Sequence, residues 1–307
     1  MSRTISKRHK VAEFLPEVAR LIDDEAVVEI SLNPDGNLFV ERSGQNPNLA
    51  GQIEERHAKR FLRYVAVESE YVIDEDNPTF SGSIPGTPHR IEGVVPPIVK
   101  AASFSIRRHR DIEYPLSDYF LEPAHQTMFS EALLGRNNIL IAGETGAGKS
   151  SFGRSALGLL ADQCPDTRLV VIEDTDELKP RFENCMSMLA RKGVRSMEDL
   201  LESTLRLAPD RIIIGELRRG ADLMMLLNAW STGHRGGLAT IHADSASDTL
   251  ARLKGMAAQA SLGDQTYLMG KAIDLAVFLQ KRPGGGKVTS MTRFSCPEET
   301  LKLEPIL

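Results

Sequence analysis

Residues 138–151, NILIAGETGAGKSS, constrain the fold of this chain more than any other stretch. An apolar run ends in a short segment that holds Gly143, Gly146 and Gly148 and runs straight into Lys149 and Ser150. Glycine gives up more backbone freedom on folding than any other residue, so such a loop must use its bare backbone. Gly143, Gly148, Lys149 and Ser150 fit the phosphate-loop pattern GxxxxGK[ST]. In that pattern the backbone N–H groups from Gly143 through Glu144, Thr145, Gly146, Ala147, Gly148, Lys149, Ser150 and Ser151 converge on phosphate oxygens. The positive end of the following helix favours the same anion. Lys149 places a charge on the β- and γ-phosphates, and Ser150 offers a hydroxyl to Mg²⁺. The expected ligands are ATP and Mg²⁺. A second glycine run, PGGGK at 283–287, lacks this spacing and reads as the loop of a hairpin.

A phosphate loop needs an acidic partner. In RLAPDRIIIGELRRG, Glu216 follows an apolar strand, at the strand end where ligands of open α/β sheets bind. It is the expected water-activating residue. A second cluster, VVIEDTDEL, carries Glu173, Asp174, Asp176 and Glu177. Glu173 is expected to face the metal with Ser150, and Asp176 to lie in solvent. STGHRGGLATIHADSA brings His234 and His242. Their spacing fits no helix-face pair and no cysteine accompanies them, which disfavours a metal centre. Each histidine reads either as a packing residue or, for His242 at a strand end beside the loop, as a γ-phosphate sensor.

The rest of the chain frames this core. "NNILIAG", "RLVVIED", "RIIIGE" and "GLATIHA" alternate with helical stretches, the pattern of a mostly parallel sheet covered on both faces. The tail IDLAVFLQKRPGGGKVTSMTRF reads as a hairpin. The first hundred residues have a different texture. VAEFLPEVARLIDD is helical in spacing, VVEISLNPDGNLFVER is strand, turn and strand, and NLAGQIEERHAKRFLRYVAVESE is a second helical stretch. The expected organisation is an α+β domain over residues 1–108, a charged linker with Pro115 over 109–120, and an α/β domain over 121–307.

The net charge of -5 argues against a broad nucleic-acid surface, and sequence-specific nucleic-acid binding is not expected. Three dispersed cysteines fit a reducing compartment. The basic start has no apolar signal core and no run approaches a membrane span, so a cytoplasmic protein is expected.

Four motifs in order, GETGAGKS, IEDTDEL, RIIIGELR and TGHRGGLATIHA, resemble those of the secretion ATPases of type II and type IV secretion and pilus systems. The chain as a whole is most similar to the TrbB-type conjugal-transfer branch. The resemblance implies a RecA-like, P-loop C-terminal ATPase domain with a smaller N-terminal domain. It implies a homohexamer that hydrolyses ATP at the cytoplasmic face of the inner membrane, docked on inner-membrane components of a secretion machine. It also implies arginines from the N-terminal domain and linker at the nucleotide. Arg90 and Arg107 match by position, with Arg108 as competitor, and Arg218 matches the arginine of "GE-x-R". The four-cysteine module of type II assembly ATPases is missing, and Arg219 stands where pilus-retraction ATPases carry Asp. Both departures point to conjugation. A tight-adherence or type IV pilus assembly ATPase remains the alternative in the same class. A nucleic-acid motor or a non-hydrolysing scaffold are the alternatives outside it.

Overall fold

The computed structural model describes residues 10–109, 114–191, 193–282 and 285–307. The chain divides into two compact units, 1–111 and 112–307.

The first unit is built on a six-stranded antiparallel sheet. Its strands are β1 (Val27–Leu32), β2 (Asn37–Arg42), β3 (Asn48–Gln52), β4 (Thr79–Ser83), β5 (Arg90–Val94) and β6 (Ser103–Arg107), in the order β3-β2-β1-β6-β5-β4. The Asn33–Gly36 turn joins β1 and β2. Gly36 takes φ +83°, and Asp35 Oδ1 accepts the Asn37 N–H at 2.9 Å. The helix Glu55–Glu68 buries Ala58, Phe61, Leu62, Val65 and Ala66, one face at helical spacing, in a core shared with Ile30, Phe104 and Ile106. The helical stretch expected from residue 48 is corrected here. Residues 48–52 form the edge strand β3 and the helix begins only at Glu55. The side chains of β3 are mostly exposed, so no apolar alternation marked it as a strand.

The second unit holds an eight-stranded sheet. Its strands are β7 (Ile139–Gly143), β8 (Leu169–Glu173), β9 (Cys185–Leu189), β10 (Arg211–Leu217), β11 (Leu238–His242), β12 (Leu275–Arg282), β13 (Gly285–Ser295) and β14 (Lys302–Pro305). The order is β14-β13-β12-β7-β11-β10-β8-β9. Strands β12 to β9 in that order are parallel, and β13 and β14 add on antiparallel. Alternate residues of β7 serve different cores. Ile139 and Ile141 pack with Phe129, Phe152 and Leu157, whereas Leu140 and Ala142 pack with Leu226 and Trp230. That two-sided burial is why the central strands read as unbroken apolar runs.

Residues 110–113 of the expected linker lie outside the described residues. Beyond them, Leu116, Tyr119 and Phe120 are buried in the second unit, with Tyr119 set edge-on to Phe152 at 5.0 Å. Among the described residues no helix is long and apolar enough to cross a membrane.

Candidate functional site

Parallel strands leave their C-terminal ends along one edge of the sheet, and four neighbours, β7, β11, β10 and β8, end in Gly143, His242, Glu216-Leu217 and Glu173. Strands lie about 4.8 Å apart, so these four ends form one continuous rim.

The loop follows β7, and the helix Lys149–Gln163 starts directly after it. Gly146 and Gly148 take φ of +75° and +84°, conformations that L side chains resist. Lys149 Nζ turns back onto the loop and donates to the carbonyls of Gly143 and Glu144 at 2.9 and 3.0 Å. Thr145 Oγ1 lies 3.3 Å from His242 Nδ1, and His242 Nε2 lies 3.0 Å from Asp244 Oδ1. His242 stands opposite Gly143 in the β11–β7 register, which is how a residue about a hundred positions away reaches the loop. His234 precedes β11 at the opposite end of that strand, away from the rim, and its ring Nδ1 is buried with no hydrogen-bond partner among the described residues.

Ser150 Oγ donates to Glu177 Oε2 at 2.5 Å. Glu173 is 2% exposed, and its Oε1 accepts the backbone N–H groups of Glu177 and Leu178, both at 3.1 Å. Burial pushes the Glu173 carboxyl up from 4.5 to about 7, and the charges of Asp176 and Glu177 push the same way against the two backbone donors. Gly215 makes room for it: a Cβ there would lie 2.8 Å from Glu173 Cγ. Glu216 faces Arg218, whose Nε and Nη2 sit 2.9 and 2.8 Å from Glu216 Oε2. Arg218 Nη1 reaches Asp174 Oδ2 at 3.3 Å and so bridges β10 to the acidic cluster after β8. Arg219 pairs instead with the buried Asp222 at 3.1 Å.

The structure therefore brings together the loop residues Gly143 to Ser151, Glu173, Glu216 and His242. Arg90 and Arg107 lie in the first unit, directly opposite each other on β5 and β6. Arg108 differs from both. Its guanidinium donates to the carbonyls of Ile22 and Glu25, which ties it to the end of the helix Pro16–Asp23. Sequence reading did not single out Glu177 as the partner of Ser150 or Asp174 as the partner of Arg218. Both lay in a cluster whose members are equivalent until the turn after β8 is formed.

A cradle of backbone curvature, one lysine, a hydroxyl beside a carboxylate, and a second carboxylate on the next strands suits a phosphoester with a divalent ion. Ser150 Oγ and the Glu177 carboxylate beside it are oxygen donors of the kind Mg²⁺ takes, an ion that uses few protein ligands and leans on substrate phosphates. The family model described as "Type II/IV secretion system protein" matches residues 83–279. The chain belongs to the type II/IV secretion system protein family. Within this family it is 41% identical over 271 residues to the conjugal transfer protein TrbB of Rhizobium radiobacter, covering 87% of this chain and 83% of that one. It is 39% identical, with the same coverage, to a probable conjugal transfer protein TrbB of Sinorhizobium fredii. Among solved structures, the pilus retraction motor PilT with bound ADP is similar in fold. The TM-score is 0.68 at 19% identity, over 95% of this chain and 82% of that chain. The family match spans the loop, Glu173, Glu216 and His242 and, in the first unit, Arg90 and Arg107.

Proposed function

We propose that this chain is an ATPase that powers a conjugative type IV secretion system. The observation that carries the proposal is the convergence of a glycine loop with Lys149, Glu173, Glu216 and His242 on one rim of a parallel sheet. The C-terminal unit then acts as a RecA-like P-loop domain. Family membership and the two TrbB relatives support the conjugative assignment over a tight-adherence or type IV pilus assembly ATPase.

ATP enters with its phosphates in the loop from Gly143 to Ser151. Lys149 exchanges the carbonyls of Gly143 and Glu144 for β- and γ-phosphate oxygens. Ser150 and Glu173 would hold Mg²⁺, which when bound would supply positive charge to the phosphates. Glu216 takes the proton of the attacking water on Oε1, while Arg218 holds Oε2 and orients the carboxylate. His242, beside Thr145, senses the γ-phosphate. Arg107 or Arg90 adds charge stabilisation in the transition state, and removal of one such donor typically costs about 3–4 kcal/mol of barrier. The working form is a homohexamer, cytoplasmic and held at the inner membrane by components of the machine, without sequence-specific nucleic-acid recognition.

The test has two parts. Purified chain with Mg²⁺ should hydrolyse ATP and run in solution at the mass of a hexamer, without stimulation by DNA or RNA. In the host, deletion of the gene should abolish conjugative transfer. A deletion that leaves mating intact but removes pilus-dependent adhesion would support the assembly ATPase instead, and strong stimulation by nucleic acid would favour a nucleic-acid motor.

A further inference from the structure

The sequence marks β12 and β13 as a hairpin and nothing more. The backbone of this hairpin lies against the glycine loop at both ends of that loop. At the first end, β12 pairs with β7 so that Leu279 stands opposite Gly143, and a Cβ on Gly143 would lie 2.5 Å from the Leu279 carbonyl oxygen. At the other end, a Cβ on Gly286 would lie 1.8 Å from the Ala147 carbonyl oxygen and 3.0 Å from its carbon. Ala147 is itself 1% exposed, whereas Thr145 and Gly146 before it are exposed. Glycine inside a strand forgoes side-chain packing, and one of its uses is close approach by another backbone. Gly286 stands opposite Lys281 on β12, and Val288 behind it is fully buried in the core that also holds Ala147 and Phe152. Lys287 reaches across to donate to the carbonyl of Asp118, which fixes the hairpin from its other side.

We propose that Gly286 is a positioning residue for nucleotide binding: its missing side chain lets the β12–β13 hairpin hold the Ala147 peptide, and so the curvature of the phosphate loop. This rests on the reading of residues 143–151 as the phosphate cradle. Real Cβ atoms essentially never approach a heavy atom within 3.0 Å, so a methyl at position 286 displaces the Ala147 carbonyl by about 1 Å or more. A shift of that size takes loop N–H groups out of line with the phosphate oxygens, and the loss of one charge-assisted hydrogen bond corresponds to about ten- to a hundredfold in affinity. The loss falls on binding, because the close approach is to the loop peptide, while Glu173, Glu216 and His242 stand on β8, β10 and β11, separated from β13 by β12 and β7.

The experiment compares full-length wild type, Gly286→Ala and Gly255→Ala. Gly255 is a helical residue at which an added Cβ would meet no neighbouring atom within 4 Å. A fluorescent ATP analogue gives Kd, steady-state hydrolysis gives KM and kcat, and thermal melting reports the fold. Gly286→Ala should raise Kd and KM about ten- to a hundredfold and leave kcat at saturating ATP within about threefold. Its melting temperature should fall by no more than about 10 °C, the scale of a local overpacking, and Gly255→Ala should keep the Kd, KM and kcat of wild type. Equal Kd for wild type and Gly286→Ala overturns the proposal. A wild type that binds no ATP overturns the phosphate reading itself, which is a distinct result. If Gly286→Ala does not fold, hydrogen exchange on wild type decides the matter. Amides of residues 277–282 and 285–290 should exchange more slowly with ATP analogue bound while residues 302–304 stay unchanged, and unaltered exchange across both stretches of the hairpin refutes the brace.

Discussion

Replacing Glu173 by glutamine isolates the energetic cost of keeping an acid at the rim. The carboxyl is 2% exposed, and burial raises it from 4.5 to about 7. Because the folded pKa is raised, the folded chain holds this proton more tightly than the unfolded chain does. The penalty is absent below about pH 4.5, grows between about 4.5 and 7, and is complete above about 7. The gap corresponds to about 3 kcal/mol. Glutamine keeps a carbonyl oxygen for the N–H groups of Glu177 and Leu178 but carries no charge. Glu173→Gln should therefore match wild type near pH 5 and exceed it by about 3 kcal/mol at pH 8. In a unit of this size that is roughly 6–12 °C in melting temperature. The assay is thermal melting of both proteins without nucleotide or Mg²⁺ from pH 5 to 8.5, read as the difference between the two curves. A difference that stays flat across this range would show that Glu173 is not the buried, raised acid described here.

Three further outcomes follow from the same geometry. Glu216→Gln should bind ATP at least as tightly as wild type yet lose turnover by about two or more orders of magnitude, measured as Kd beside kcat; retained turnover would move the base to Glu173. Arg107→Ala should lower kcat with little change in Kd. Arg108→Ala should instead lose its bonds to Ile22 and Glu25 and about 1–2 kcal/mol of stability, with kcat per folded molecule kept. The reverse pattern on the same two assays would exchange their roles. Arg211 is 3% exposed and donates to the carbonyls of Leu133 and Gly236 at 2.8 and 3.1 Å, so Arg211→Leu should cost about 2–5 kcal/mol in denaturant unfolding; a near-neutral variant would show that those carbonyls find other donors.

The part of the site that is continuous in sequence was legible in the sequence. Gly143, Gly148, Lys149 and Ser150 are fixed by spacing, and the unbroken apolar runs of β7, β8, β10 and β11 located the strand ends that carry Glu173, Glu216 and His242. What depended on the path of the chain between those strands was not legible. Glu177 meets Ser150 because the chain turns after β8 and sends two N–H groups onto Glu173. Strands β3 and β14 hide for another reason. Each lies at a sheet edge, so few or none of its side chains are buried and no alternation marks it. Gly286 carries no pattern at all, since its significance is a distance to Ala147 that only the closed sheet defines.

The central claim is that residues 143–151 hold the phosphates of ATP for hydrolysis. Lys149→Ala tests it most directly, because Lys149 is the only cation in that loop and bonds its carbonyls at 2.9 and 3.0 Å. Steady-state release of phosphate from Mg²⁺-ATP, measured side by side for folded wild type and folded Lys149→Ala, should show turnover in the first and its collapse by about a hundredfold or more in the second. Equal turnover in the two proteins would contradict the account.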